Sequence, residues 1–210
     1  MPVLPPLLPL FPLPNVVLFP RMPLPLHVFE PRYRTMVADA LETHRAIGMV
    51  LLKPGWESDY HGRPPVYPVG CAGLIERCDR FEDGRYNLLL KGVARFRVPA
   101  ERPGLPYRVA EARYSGDIMG DLPALDGLRS RVGVSLERIG HADVLLEAQS
   151  RLPHDVFVNA ACQALDLSPV EKQSLLDCDT ISLRCARLLE ILEFHILEPP
   201  ARRGKERLVH

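Results

Sequence analysis

Apolar residues near the start of the chain come in short runs divided by proline: LFPLPNVVLFPRMPLPLHVFEPRY over Leu10 to Tyr33, with prolines at 12, 14, 20, 23, 25 and 31. Proline lacks an amide donor and clashes with the preceding turn, so no helix crosses this stretch. The runs Asn15–Phe19 and Leu24–Phe29 are predicted as short extended segments at a sheet edge. The pattern changes after Pro31, where Tyr33, Met36, Val37, Ala40 and Leu41 recur at helical spacing. Pro31 suits a first helical position, at which the missing donor would be unpaired anyway.

Ala46–Leu52 reads as a buried strand and Lys53–Pro65 as a long loop that carries two aromatic residues, Trp56 and Tyr60. Strands are predicted over Val69–Cys78 and Arg85–Leu90, joined through Asp83-Gly84, a pair that supplies the positive φ of a tight hairpin. Gly92 is expected to interrupt the run. Beyond it, Val93–Val98 alternates, with Ala94, Phe96 and Val98 on one face and Arg95 and Arg97 on the other, and Tyr107–Tyr114 completes a twisted, barrel-like sheet. After Gly116 the spacing turns helical. Leu122, Leu125, Arg129, Val132, Leu136 and Ile139 mark one helix ending at Gly140; Phe157, Ala160, Ala161, Ala164 and Leu165 mark a second. Ser168-Pro169-Val170-Glu171 is a capping-box start for a third helix, running to near Asp177. Thr180 can cap a fourth that runs to about Leu197, stopped by Pro199-Pro200.

With 210 residues, 47% of them hydrophobic, the chain can bury a proper core. Lys and Arg balance Asp and Glu at a formal net charge of zero. That balance argues against a dedicated nucleic-acid or acidic-membrane binder. No apolar run reaches the ~18 residues of a membrane span, and the proline-broken start is a poor secretory signal, so a cytoplasmic protein is expected. Five cysteines, at 71, 78, 162, 178 and 185, form no compact disulfide framework.

The runs LPLFPLPNVVLFP and LPLHVFEPRYR resemble the start of the N-terminal substrate-recognition domain of Lon proteases. Asp83-Gly84, Lys91-Gly92 and Arg95-Phe96 are similar to that domain's later acidic-Gly turn, glycine and Arg-Phe pair. The resemblance is strong over Pro9–Val98 and weaker to about Leu197. It implies an α+β protein: a β-rich pseudo-barrel of PUA-like type over 1–116, a helical bundle over 117–198 and a tail over 199–210. ATPase and protease modules follow this domain in full Lon enzymes. Here no G-x-x-x-x-G-K-[ST] loop occurs, since the only Gly-Lys, at 204–205, is followed by Glu206. No serine has the glycine-flanked setting of the family's nucleophile. The expectation is a stand-alone recognition domain, not an enzyme and without a cofactor.

Glu30, Arg32 and Tyr33 form the first candidate cluster, at a strand-to-helix corner, with His27 and Phe29 just before it. Glu30 could equally cap the helix or pair with an arginine, and Tyr33 could pack inward. Trp56 and Tyr60 suit capture of an extended polypeptide, or else fold back over a barrel end. Arg95 and Arg97 could pair across strands with Glu76 or Glu111, or form a basic strip for RNA. The six-residue gaps between Cys71 and Cys78 and between Cys178 and Cys185 are too wide for a zinc knuckle. His141–Asp143 and His154-Asp155 could support a cysteine nucleophile, or simply cap helices. The function expected is recognition of unfolded or misfolded polypeptide segments, or of a partner protein, through His27, Phe29, Glu30, Arg32, Tyr33, Trp56, Tyr60 and Arg95. An RNA-binding PUA-like module and a small hydrolase with an unrecognised site are the alternatives.

Overall fold

The computed structural model describes residues 4–139 and 151–197. In chain order these form β1 (Leu7–Leu13), β2 (Pro23–Val28), α1 (Pro31–Glu42), β3 (Ala46–Leu51), a 3-10 turn (Trp56–Asp59), β4 (Val69–Arg80), β5 (Tyr86–Arg102), β6 (Arg108–Ser115), α2 (Leu122–Arg138), α3 (His154–Ala164), α4 (Pro169–Leu176) and α5 (Ile181–Leu197). The α+β class and the barrel-like sheet are as the sequence predicts. The expected helix stop at Gly140, the pair His141–Asp143, the Pro199-Pro200 stop and the tail lie outside the described residues.

Proline decides the first strand differently from the expectation. Asn15–Phe19 is not a strand; the extended segment is β1, which itself contains Pro9 and Pro12. The reason lies in how β1 is shared. It pairs antiparallel with β6 over Leu7–Leu10 and parallel with β3 over Leu10–Leu13. Each proline therefore has a ladder neighbour on one side only, which leaves an unpaired side for the donor it lacks. β2 behaves as expected: it is an edge strand, paired among the described residues with β5 alone, and carries Pro23 and Pro25.

The sheet order is β2-β5-β4-β3-β1-β6, and a further β5–β6 pairing closes the ring. β5 makes this possible by its length. Tyr86–Lys91 pairs with β2 and Arg95–Arg102 with β6, while β4 runs along the strand over Tyr86–Arg97. Gly92 does not interrupt the strand; it sits beside a register shift within it. There the chain needs a glycine, because a Cβ would lie 2.1 Å from the Phe19 carbonyl oxygen. Gly92 N–H donates to Met22 O at 2.9 Å and Gly92 O accepts from Arg21 N–H at 2.7 Å, which pins the loop before β2. Leu8, Leu10, Ala46, Val50, Ala72, Phe96 and Ala110 fill the barrel interior.

Contacts divide the chain into two compact units, one running to Asp117 and including Cys162–Asp177, the other made of Ile118–Ala161 and the chain from Cys178 on. Segment Cys162–Asp177, helical by periodicity, thus belongs with the barrel. Its capping box forms as expected, Ser168 Oγ accepting from Glu171 N–H and the Glu171 carboxylate from Ser168 N–H. Gln173 Nε2 donates to Val69 O at 3.1 Å and Phe19 N–H to Gln163 Oε1 at 3.2 Å. In the other unit, α2 packs on α5. Asp121 caps α2 by accepting from Ala124 N–H, and Thr180 Oγ1 accepts from Leu183 N–H at the start of α5. Buried there is Arg184, which donates to Asn159 Oδ1 and to Cys178 O. The Arg129 guanidinium lies 4.6 Å from the Phe157 ring centroid. His154 faces Arg129 and Asp126 rather than a cysteine. Burial pushes the Cys185 thiol up to about 11, which suits a core thiol and not a nucleophile.

Candidate functional site

The corner between β2 and α1 gathers polar groups because Pro31 starts the helix at once and leaves Glu30 just outside it. The Glu30 side chain makes no capping bond to the helix. Its carboxylate instead accepts from the Tyr60 hydroxyl at 2.5 Å and from Arg32 Nε at 3.1 Å. Arg32 Nη2 in turn donates to the Tyr60 carbonyl at 3.2 Å. Its guanidinium lies 4.6 Å from the Tyr33 ring centroid and 5.0 Å from that of Tyr60, a distance at which a cation is held by the π face. Loop 53–65 is thereby fastened to the start of α1. Burial, and then the bond to Glu30, raise the pKa of Tyr60, and burial holds Tyr33 far above the ordinary phenol.

Beside this cluster opens a cavity of about 210 Å³. Pro12, Leu52, Leu105 and Pro106 supply aliphatic wall, Tyr33, Tyr60 and Tyr107 aromatic wall, and His61, Arg32, Arg63 and Arg108 the remaining polar lining. Arg108 is largely buried and fully engaged: Nε and Nη2 donate to the Glu101 carboxylate and Nη1 to Pro64 O at 2.7 Å. The Tyr107 hydroxyl donates to Asp39 Oδ2 at 2.7 Å. Aromatic faces, aliphatic patches and guanidinium donors together are the chemistry of binding a side chain or a short peptide segment.

Three of the predicted site residues, Arg32, Tyr33 and Tyr60, line this cavity, and Glu30 positions two of them. Trp56 is half-buried next to it, its ring 5.4 Å from Tyr60 in an edge-on contact. His27 and Phe29 do not line it. They form a separate exposed aromatic group with Phe81 of the β4–β5 turn, His27 lying 6.1 Å from Phe29 and 6.2 Å from Phe81, with Phe29 60% exposed. Arg95 is also elsewhere. The strand alternation puts it on a polar face, yet it is only 2% exposed, donating to Leu176 O at 3.4 Å and lying 3.4 Å from Asp117. The predicted pairings with Glu76 and Glu111 fall instead to Lys91 and Arg102, and the basic strip is reduced to Arg97, which is exposed where Arg95 is buried. Sequence reasoning missed Arg63, Leu105, Tyr107 and Arg108. Arg63 and Tyr107 were visible as the ends of a proline- and glycine-rich loop and turn, but only the barrel closure brings them together.

Among the described residues no group of three or more His, Cys, Asp and Glu side chains could hold a metal ion. Nor is any helix among them long and apolar enough to cross a membrane.

Comparison with known proteins gives one consistent result. A family model described as the ATP-dependent protease La (LON) substrate-binding domain matches residues 7–193. The chain is 29% identical over 195 residues to the Lon protease of Paraburkholderia phytofirmans, covering 88% of this chain and 23% of that protein. It is 27% identical over 191 residues to Lon protease 2 of Desulfotalea psychrophila, covering 88% and 24%. The chain thus spans about a quarter of the length of these relatives. Among solved structures, a Lon N-terminal domain protein from Xanthomonas campestris superposes with a TM-score of 0.65 at 31% identity, over 88% of this chain and 97% of the other. The N-terminal domain of Mycobacterium avium complex Lon protease shares the fold, with a TM-score of 0.71 at 15% identity over 90% and 99%.

Proposed function

This chain belongs to the LON substrate-binding domain family, and on that premise we propose that it recognises unfolded polypeptide segments, or the extended segment of a partner protein, without catalysing a reaction on them. The observation that supports this reading is a coincidence of position. The cavity is lined by Pro12, Arg32 and Tyr33 from the proline-spaced signature and by Tyr60 from the aromatic loop. Trp56, half-buried against Tyr60, extends the aromatic surface beyond it. Such a surface offers apolar contact without demanding one partner sequence. Action in the cytoplasm, on clients that another module or protein degrades, is part of the proposal.

The test is binding of fluorescently labelled, reduced and carboxymethylated lactalbumin, which stays unfolded, against the native protein. The chain should bind the unfolded form and not the native one, and replacing Trp56 and Tyr60 together by Ser should weaken binding at least ~10-fold. Equal binding of both forms, no binding at all, or reproducible turnover of ATP or casein would overturn the reading.

A further inference from the structure

The cavity has a chemical bias that general polypeptide recognition does not require. Among the described residues no acidic one lines it; its charged lining consists of Arg32, Arg63 and Arg108. The acids that pair with these arginines, Glu30 and Glu101, do not contribute to its wall. Donor use separates the three. Arg108 directs all three of its nitrogens to Glu101 and Pro64. Arg32 uses Nε and Nη2, and its Nη1 has no acceptor among the described residues. Arg63 is the least committed. Its guanidinium makes no hydrogen bond among the described residues, its approach to Glu101 is 3.9 Å, and its side chain is 46% exposed.

At about 210 Å³ the space is below the ~300–1,000 Å³ of a drug-sized site and fits one side chain rather than a ligand of many groups. We propose that it receives a single apolar residue of a bound polypeptide together with an adjacent carboxylate: the apolar side chain enters between Tyr33, Tyr60, Leu52 and Leu105, and the carboxylate is taken by Arg63 and Arg32 Nη1. The carboxylate is either the chain terminus or a neighbouring acidic side chain, since a guanidinium treats the two alike. This inference rests on the polypeptide-recognition reading and assigns that site a preferred substrate class.

The experiment measures fluorescence anisotropy of labelled decapeptides with the full chain, the peptides differing only at the end: Phe with a free carboxyl, Phe amide, Phe-Glu amide, Phe-Gln amide, and Ala with a free carboxyl. A carboxylate-bearing Phe peptide should bind at least ~10-fold tighter than its amide or Gln counterpart. A gain from the free carboxyl alone identifies the terminus; a gain from Phe-Glu amide as well identifies carboxylates in general. The Ala peptide should bind weakly. Arg63→Gln should abolish the preference and leave the melting temperature unchanged, because the side chain it removes is half exposed. Equal binding of acid and amide, or a preference that survives Arg63→Gln, overturns the inference. If unfolded lactalbumin still binds in that case, the recognition reading stands and only the carboxylate preference falls; if it does not bind, both fall.

Discussion

The Tyr60 hydroxyl donates to the Glu30 carboxylate at 2.5 Å, and the Tyr60 carbonyl accepts from Arg32 on the same turn of chain. One residue thus clips loop 53–65 to α1 from both its backbone and its side chain. Tyr60→Phe removes the side-chain half. A hydrogen bond to a charged group contributes ~1.5–3 kcal/mol when shielded, and solvent near this half-buried ring lowers that to about 1 kcal/mol. Denaturant melts should show that loss, and limited proteolysis should cut the loop between Lys53 and Pro65 faster than in the parent chain.

Alkaline pH should destabilise the barrel. The Tyr114 hydroxyl donates to Pro5 O at 2.6 Å, and burial pushes its pKa up to about 12 from the ordinary 10.0. A phenol whose pKa is raised in the folded state holds its proton more tightly than the unfolded chain does, so its contribution is complete below pH about 10 and is lost as pH rises toward 12. Tyr33, Tyr60 and Tyr107 are raised as well and act in the same direction. Melting temperatures from pH 8 upward should fall beyond pH about 10, in step with tyrosinate absorbance, and Tyr114→Phe should shallow the fall.

Two glycine substitutions should have opposite signs. At Gly92 a methyl group would press on the Phe19 carbonyl, which is backbone and cannot swing aside, so Gly92→Ala should cost about 2–3 kcal/mol. Gly127 is exposed within α2 and a Cβ there meets nothing within 4 Å, so Gly127→Ala should add about 0.5–1 kcal/mol. Thermal unfolding of both variants decides it; a neutral Gly92→Ala would contradict the described approach of loop and strand.

Removing Asp117 alone should cost more than removing both charges of the Arg95–Asp117 pair. Asp117→Ala leaves a guanidinium under cover with less compensation, at a cost of about 3 kcal/mol, whereas Asp117→Ala combined with Arg95→Met deletes both charges and orphans neither. If Asp117→Ala proves the milder change, the pair does not carry the stability assigned to it.

A fragment ending at Gly116 should aggregate. It would lose Cys162–Asp177, which packs with the barrel and supplies Gln163 to Phe19 and Gln173 to Val69. Light scattering and a melting curve test this, and a soluble fragment with a cooperative transition would show that the barrel does without the segment.

Where two helices and one hairpin turn lie was legible because the signals are local: Pro31 at a first helical position, the Ser168–Glu171 box, the Asp83-Gly84 turn. The position of β1 was not, because proline reads as a barrier until one knows that each half of the strand is paired on one side only. Arg95 was misread for a similar reason. Alternation reports which face a side chain takes, and says nothing of a helix about eighty residues later that covers Arg95 on that face. At the cavity, the corner Glu30–Tyr33 and the ring of Tyr60 stood out by residue type. Arg63, Tyr107 and Arg108 did not, since loop arginines and tyrosines are ordinary and only the closure of β6 onto β1 and β5 gives them a common wall.

A ring of strands in which the first lies between the third and the last cannot be assembled in the order a ribosome delivers it. At ~5–20 residues per second, β1 is translated roughly 5–20 s before β6, its second neighbour. Through that interval an apolar strand stands beside other nascent chains with its edges open. Pro9 and Pro12 deny it a continuous row of donors. The imino acids that hide the strand from a reader of the sequence also hide it, during translation, from the wrong partner.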